Sequence, residues 1–185
     1  NQAAKLISGT VLEIGCGEGY GMEELAKYSK IYIGVDKFET NIPKSVRDNN
    51  DIIFHKMEIP PLDNIEANSI DFVVTFQVIE HIQDDNYFLK EIYRVLKPGG
   101  KLLLTTPNKL MSLSRNPWHI REYDPTEMKN VIRKFFHQFE VKGVFGNKVI
   151  MDYYNKNKES VDRITRFDIF NLQYTLPRWI LKMPY

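Results

Sequence analysis

Thr10-Val11-Leu12-Glu13-Ile14-Gly15-Cys16-Gly17-Glu18-Gly19-Tyr20-Gly21 is the stretch whose reading decides the fold. Thr10, Val11, Leu12 and Ile14, apolar or β-branched around the single acid Glu13, read as a buried strand. Glycines then alternate with other residues up to Gly21, and a helix-like stretch opens at Met22. A lone acid, Asp36, ends the next apolar run. A strand, a glycine turn and a helix start mark the place where an open α/β sheet binds nucleotide-like ligands. Spacing narrows the choice. A dinucleotide fingerprint counted from Gly15 needs its third glycine where Tyr20 stands, and the Gly-Lys-Ser/Thr ending of a phosphate-binding loop is absent.

Outward from this stretch, strand-like and helix-like segments alternate, the pattern of a parallel sheet with crossover helices. The expected strands are Thr10–Ile14, Ile31–Val35, Ile52–His55, Ile70–Phe76, Lys101–Thr106 and Phe139–Phe145. The expected helices are Met22–Tyr28, a short one over Asn41–Asp48 with Pro43 in its first turn, one capped by Asp84, and one capped by Asp124. The Asp84 helix carries Phe88, Leu89, Ile92, Val95 and Leu96 on one face and stops at Lys97-Pro98-Gly99-Gly100. Asp124-Pro125-Thr126-Glu127 combines an acidic cap, a proline at the first helical position and an acid three residues on. Beyond Gly146 the pattern changes. Asp152–Glu159 is polar, and Val161, Ile164, Phe167, Ile169 and Phe170 then recur at roughly helical spacing up to about Thr175, before Pro177. The expected organisation is a core over 1–146 and a helical extension over 147–185.

Composition limits the function classes. A chain of 185 residues with a net charge of +1 and no long single-sign run shows no electrostatic footprint for nucleic acid. Cys16 is the only cysteine, which excludes an internal disulfide and fits a reducing compartment. No run of 18 apolar residues and no signal-like amino-terminal segment occurs, so the expectation is a soluble, cytoplasmic protein without a transmembrane segment. The first strand begins after only nine residues, which predicts a domain taken from a longer protein.

The segment E-x-G-x-G-x-G, Glu13 to Gly19, resembles motif I of the class I S-adenosylmethionine (SAM) dependent methyltransferases. The resemblance continues in order over about residues 10–145. Glu58–Pro61 followed by Asn68-Ser69-Ile70-Asp71-Phe72-Val73-Val74, then Gln77-Val78-Ile79-Glu80-His81-Ile82, then Tyr93-Arg94-Val95-Leu96-Lys97-Pro98-Gly99-Gly100, are similar to successive family segments of the ubiquinone and menaquinone biosynthesis type. One departure is His55-Lys56, where the family often has Gly-Asp; the acid that contacts the adenine amino group in relatives is missing. The resemblance implies a Rossmann-like, doubly wound, mostly parallel sheet. Its closing antiparallel strand has no convincing sequence here, so that edge is missing, supplied elsewhere, or made by Lys148–Met151.

SAM presents a zwitterionic methionine tail, a ribose diol and an adenine ring, and its product S-adenosylhomocysteine (SAH) keeps all three. Backbone N–H groups of the Gly15, Cys16, Gly17 and Gly19 turn can approach the tail because the glycines carry no Cβ. Glu13 faces the tail's ammonium directly or through water. Asp36, with Lys37 beside it, stands where an acid accepts ribose hydroxyls. Phe38 and Met57 are either adenine walls or core, and the adenine contact passes to the Met57 backbone or to Glu58. Gln77 completes the candidate cofactor set. Cys16 reads as a small packing residue rather than a reactive thiol.

Two clusters are candidates for the acceptor side. Glu80-His81 follows the fourth strand, and His81 is either a general base for a hydroxyl acceptor or a residue that positions the turn. Asn116-Pro117-Trp118-His119-Ile120-Arg121-Glu122-Tyr123 resembles an H-x-R-E-Y segment of methyltransferases found among glycan and cell-envelope genes. In it His119 is a candidate base, while Trp118, Arg121 and Tyr123 are candidate substrate contacts, Arg121 as a clamp for phosphate or carboxylate. The alternative pairs Arg121 with Glu122 or another acid and packs Trp118 on the sheet. The four histidines show no ligand spacing, so no metal is expected. The tail, with Arg163, Arg166, Arg178, Trp179 and Lys182, is a lid, a surface for a membrane interface or lipid-linked sugar, or simply an amphipathic helix packed on the sheet. The function expected is methyl transfer to a small-molecule acceptor, with oxygen favoured and a glycan or lipid-linked precursor as one candidate acceptor. Its competitors are a SAM-binding module without turnover and a nicotinamide-dependent oxidoreductase, against which the glycine spacing speaks. Oligomeric state is left open.

Overall fold

The computed structural model describes residues 3–39, 51–168, 170 and 172–181. By its internal contacts the chain divides into two compact units, Asn1–Thr106 and Pro107–Tyr185.

The first unit is built on five parallel strands in the order β3-β2-β1-β4-β5. They are β1 (Thr10–Ile14), β2 (Ile31–Asp36), β3 (Ile52–Lys56), β4 (Ile70–Phe76) and β5 (Leu96–Thr105). The order reverses between β1 and β4, so the carboxyl end of β1 is the topological switch point. Val11, Leu12, Ile14, Val73 and Val74 on the two central strands are fully buried, as a sheet covered on both faces requires. At the opposite, amino-terminal end of the strands, Asp71 on β4 ties three strands together. It accepts from the Thr10 N–H at 2.8 Å and from Lys97 Nζ at 2.8 Å, and the ammonium and the amide hold its carboxyl below the usual range.

Helix α1 (Met22–Ala26) follows the glycine turn and is shorter than the expected Met22–Tyr28. Helix α2 (Asp85–Val95) starts as its sequence predicts, with the Asp84 carboxylate accepting from the Tyr87 N–H at 2.9 Å. It buries Phe88, Leu89, Ile92 and Val95. Arg94 brackets this helix to the preceding loop, donating to Leu62 O at 2.9 Å, Ile65 O at 3.0 Å and the Glu91 carboxylate at 2.9 Å. The Lys97–Gly100 turn lies inside β5 rather than before it. Leu96 pairs with Ile70 and Lys101 with Phe72, so the four intervening residues bulge out, with Gly99 at φ +81°. The helix expected over Asn41–Asp48 lies outside the described residues.

The second unit contains α3 (Pro125–Ile132), α4 (Lys148–Thr165), α5 (Leu172–Thr175) and α6 (Arg178–Leu181). The capping box forms as read: Asp124 accepts from the Thr126 and Glu127 N–H groups while Glu127 accepts from the Asp124 N–H. Two expectations fail. Phe139–Phe145 is not a strand: among the described residues nothing pairs with it, and Val144 and Phe145 are exposed. Within the segment a Cβ on Gly143 would meet the Phe145 ring at 2.8 Å. Lys148–Met151 does not close the sheet either, because Asn147 caps it as the first turn of α4, accepting from the Ile150 N–H at 3.1 Å. The helix expected to run to about Thr175 ends at Thr165 and resumes only over Leu172–Thr175, just before Leu176-Pro177.

Candidate functional site

The turn after β1 places three glycines in the left-handed region, Gly15 at φ +76°, Gly17 at +54° and Gly19 at +81°. A Cβ at Gly15 would lie 2.3 Å from Val78 Cγ2, whereas at Gly17 nothing stands within 4 Å. Gly15 is therefore required by packing, while Gly17 faces open space that a ligand can approach. The Gly15 and Cys16 N–H groups donate to Val35 O at 2.8 and 3.3 Å, which anchors the turn to the end of β2. Cys16 is buried, and its Sγ would touch a Cβ on Gly34 at 3.2 Å, so the thiol is a packing group.

Asp36 organises this turn. Its Oδ2 accepts from the Gly17 N–H at 2.8 Å and its Oδ1 from the Phe38 N–H at 2.9 Å. The side chain is buried, yet a carboxylate has about four acceptor positions and two are used by these amides. The remaining ones suit the two hydroxyls of a ribose. Lys37 Nζ stacks over the exposed Phe38 ring at 4.8 Å. Met57 is half-buried and its N–H donates to Asp36 O at 2.9 Å; Glu58 is exposed.

Glu13 lies beneath the turn, 4% exposed. Its Oε2 accepts from the Tyr32 hydroxyl, and Oε1 packs against Gly21, where a Cβ would come within 2.8 Å. Burial pushes the Glu13 carboxyl above its ordinary range, and the Tyr32 bond opposes this. Burial and the adjacent Glu13 charge push the Tyr32 hydroxyl far above the usual phenol range, so Tyr32 is the donor. The sequence reading missed Tyr32. Its signal was a single hydroxyl-bearing aromatic in an aliphatic strand that pairs with the strand of Glu13.

After β4, Gln77 is exposed at φ +57°, a conformation costly for a non-glycine residue, and its side chain donates to Thr105 Oγ1 at 3.2 Å. Glu80 is fully buried: Oε2 accepts from Thr106 Oγ1 at 3.0 Å, while Oε1 has no hydrogen-bond partner. The neighbouring His81 is exposed.

In the second unit the Asn116–Tyr123 loop is a closed hydrogen-bond chain. Asn116 Oδ1 accepts from the Trp118 N–H at 2.9 Å, which turns its amide nitrogen toward His119 Nε2 at 2.9 Å. An amide nitrogen only donates, so Nε2 of the neutral ring accepts and Nδ1 carries the proton. Nδ1 then donates to Glu122 Oε1 at 2.6 Å, and the Ser112 hydroxyl donates to Glu122 Oε2. Arg115 donates to the Tyr174 and Leu176 carbonyls, both at 3.2 Å. Lys109, Arg115, His119, Arg121 and Glu122 line a cavity of about 160 Å³. Trp118 is 62% exposed, while Tyr123 is buried and accepts at its carbonyl from the Lys109 N–H.

Residues 12–104 match the family model described as a methyltransferase domain. The chain is 38% identical over 143 residues to the probable S-adenosylmethionine-dependent methyltransferase of Mycolicibacterium smegmatis, covering 74% of this chain and 54% of that protein. It is 35% identical over 118 residues to the mitochondrial ubiquinone biosynthesis O-methyltransferase of Homo sapiens, covering 56% of this chain and 30% of the relative. The chain thus spans about half the length, or less, of these curated relatives. A S-adenosylmethionine dependent methyltransferase from Mesorhizobium loti shares the fold, with a TM-score of 0.64 at 13% identity over 88% of this chain and 92% of that one. With the model matched over half of its residues and the glycine turn and Asp36 at the switch point, the chain belongs to the methyltransferase-domain family.

Proposed function

We propose that the chain carries out SAM-dependent methyl transfer to a small-molecule acceptor. The observation that carries this reading is Asp36, a buried carboxylate that fixes Gly17 of the turn and keeps acceptor positions for a ribose diol. SAM, when bound, supplies a methyl group on a positively charged sulfur. The chain's own residues bind and orient: Asp36 takes the ribose hydroxyls, the open face of the turn at Gly17 receives the methionine tail, and Glu13 receives the tail ammonium. Met57 and Phe38, with Lys37, Glu58 and Gln77 around them, form the remaining cofactor contacts. Alignment of this kind supplies on the order of 7–11 kcal/mol of a displacement barrier without any acid or base.

Oxygen is the favoured acceptor atom, and His119, whose Nδ1–H is held by Glu122, is a candidate base when its Nε2 exchanges the Asn116 amide for an acceptor hydroxyl. His81 is the other candidate base. Arg115 and Arg121, beside the carboxylate Glu122, favour a cavity ligand with phosphate or carboxylate groups, while Lys109 is paired with Glu127 at 2.9 Å. Trp118 adds an exposed aromatic face, and the buried Tyr123 supports the loop from behind. A lipid-linked glycan is supported by the exposed Ile164, Phe167, Phe170 and Trp179 near Arg163 and Arg166 in sequence. The deciding experiment is calorimetric titration of SAH and NADH into the wild type and Asp36→Ala. Micromolar SAH binding lost in the variant, with no NADH response, is the expected outcome; NADH binding without SAH binding overturns the reading.

A further inference from the structure

Glu13 and Tyr32 form a buried polar pair on adjacent strands beneath the glycine turn, 4% and 1% exposed. Among the described residues no cationic side chain forms an ion pair with Glu13. A buried carboxylate held by one hydroxyl is costly to ionise, and a cation brought close to it lowers that cost. The Tyr32 hydroxyl is spent on Oε2, and Gly21 admits Oε1 only because it lacks a Cβ.

We infer that Tyr32 is a positioning residue for the cofactor: its hydroxyl holds Glu13 as the ionised acceptor of the SAM ammonium and thereby links cofactor binding to one proton. This rests on the SAM reading above and adds to it a residue and a pH dependence. Burial raises the Glu13 carboxyl and the Tyr32 bond lowers it, so removing that hydroxyl raises it further. On the acidic limb, where Glu13 is mostly protonated, apparent affinity rises about tenfold per pH unit and then reaches a plateau. The register partners of Glu13 are Gly34 on β2 and Val74 on β4, neither of which titrates. Cys16 is the titratable group that acts on Tyr32 from the turn, and the Asp36 carboxylate is tied to the Gly17 and Phe38 amides.

The test is the calorimetric SAH affinity of the wild type, Tyr32→Phe and Glu13→Gln between pH 5 and 8.5, with proton exchange read from buffers of different ionisation enthalpy. The wild type should show the acidic limb and release a proton on binding. Tyr32→Phe should move the limb to higher pH, binding about tenfold more weakly on that limb and within about twofold of wild type at the top of the range. Glu13→Gln should lose both the limb and the proton release. A merely structural Tyr32 would weaken binding equally at every pH, and that result overturns the inference, as does a flat wild-type profile. Absence of SAH binding by the wild type at every pH is a different failure, that of the cofactor reading itself. If Tyr32→Phe does not fold, a limb retained in Glu13→Gln overturns the inference and its loss supports it.

Discussion

Gly15 and Gly17 share a left-handed backbone but differ in what surrounds them, and alanine at each should separate folding from binding. At Gly17, φ is +54° and a Cβ meets nothing within 4 Å, so Gly17→Ala costs only the backbone penalty, roughly 1–2 kcal/mol. Part of that is offset because alanine restricts the unfolded chain by about 0.4–1 kcal/mol. At Gly15 the same penalty is joined by a Cβ 2.3 Å from Val78 Cγ2, and overpacking of this kind costs roughly 1–3 kcal/mol more. Urea unfolding should therefore place Gly15→Ala below Gly17→Ala in stability by about 1–3 kcal/mol. Val78→Ala removes the clashing methyl, so a double-mutant cycle should show favourable coupling with Gly15→Ala of about that size and none with Gly17→Ala. SAH titration should reverse the ranking relative to stability: Gly17→Ala folds but binds SAH at least about tenfold more weakly, since its new methyl fills the space the ligand approaches. Equal destabilisation by the two substitutions, or no coupling to Val78, would refute the packing argument. Unchanged SAH binding by Gly17→Ala would refute the placement of the cofactor.

Other outcomes follow from the same contacts. Arg94→Ala should cost about 2–4 kcal/mol in urea unfolding, because it frees two loop carbonyls and leaves the largely buried Glu91 without its cation. Asp124→Ala should cost about 1–2 kcal/mol, the value of a cap that satisfies two amides, with Asp124→Asn retaining most of it. Folding stability should also carry an acidic signature from Glu13. Burial raises its carboxyl above the ordinary glutamate range in the folded state, so the native state holds the extra proton and stability falls as pH rises through that window. Glu13→Gln should flatten this fall in unfolding curves measured in the absence of ligand.

Most of the cofactor half was legible in the sequence because its signals are local. Alternating glycines demand a left-handed turn, a buried apolar run with one acid demands a strand, and Asp84 and Asp124 announce helix starts through side chains that bond amides two or three residues on. The failures share a different cause. Phe139–Phe145 has a β-like composition, but a strand exists only where a ladder partner is present, and none stands beside it among the described residues. Lys148–Met151 stood as one candidate for the closing strand, but the Asn147 side chain caps it as the start of a helix.

By itself, then, the sequence determined the α/β class, the family, the glycine turn and the candidate status of Asp36, since each depends on residue type and short spacing. Only the tertiary structure decided that Asp36 bonds the Gly17 amide, that Tyr32 holds Glu13, and that the Asn116 amide sets the tautomer of His119. The first two join residues 19 apart, brought together by the register of β1 against β2. The third depends on which way an amide faces, a choice made by the Trp118 N–H.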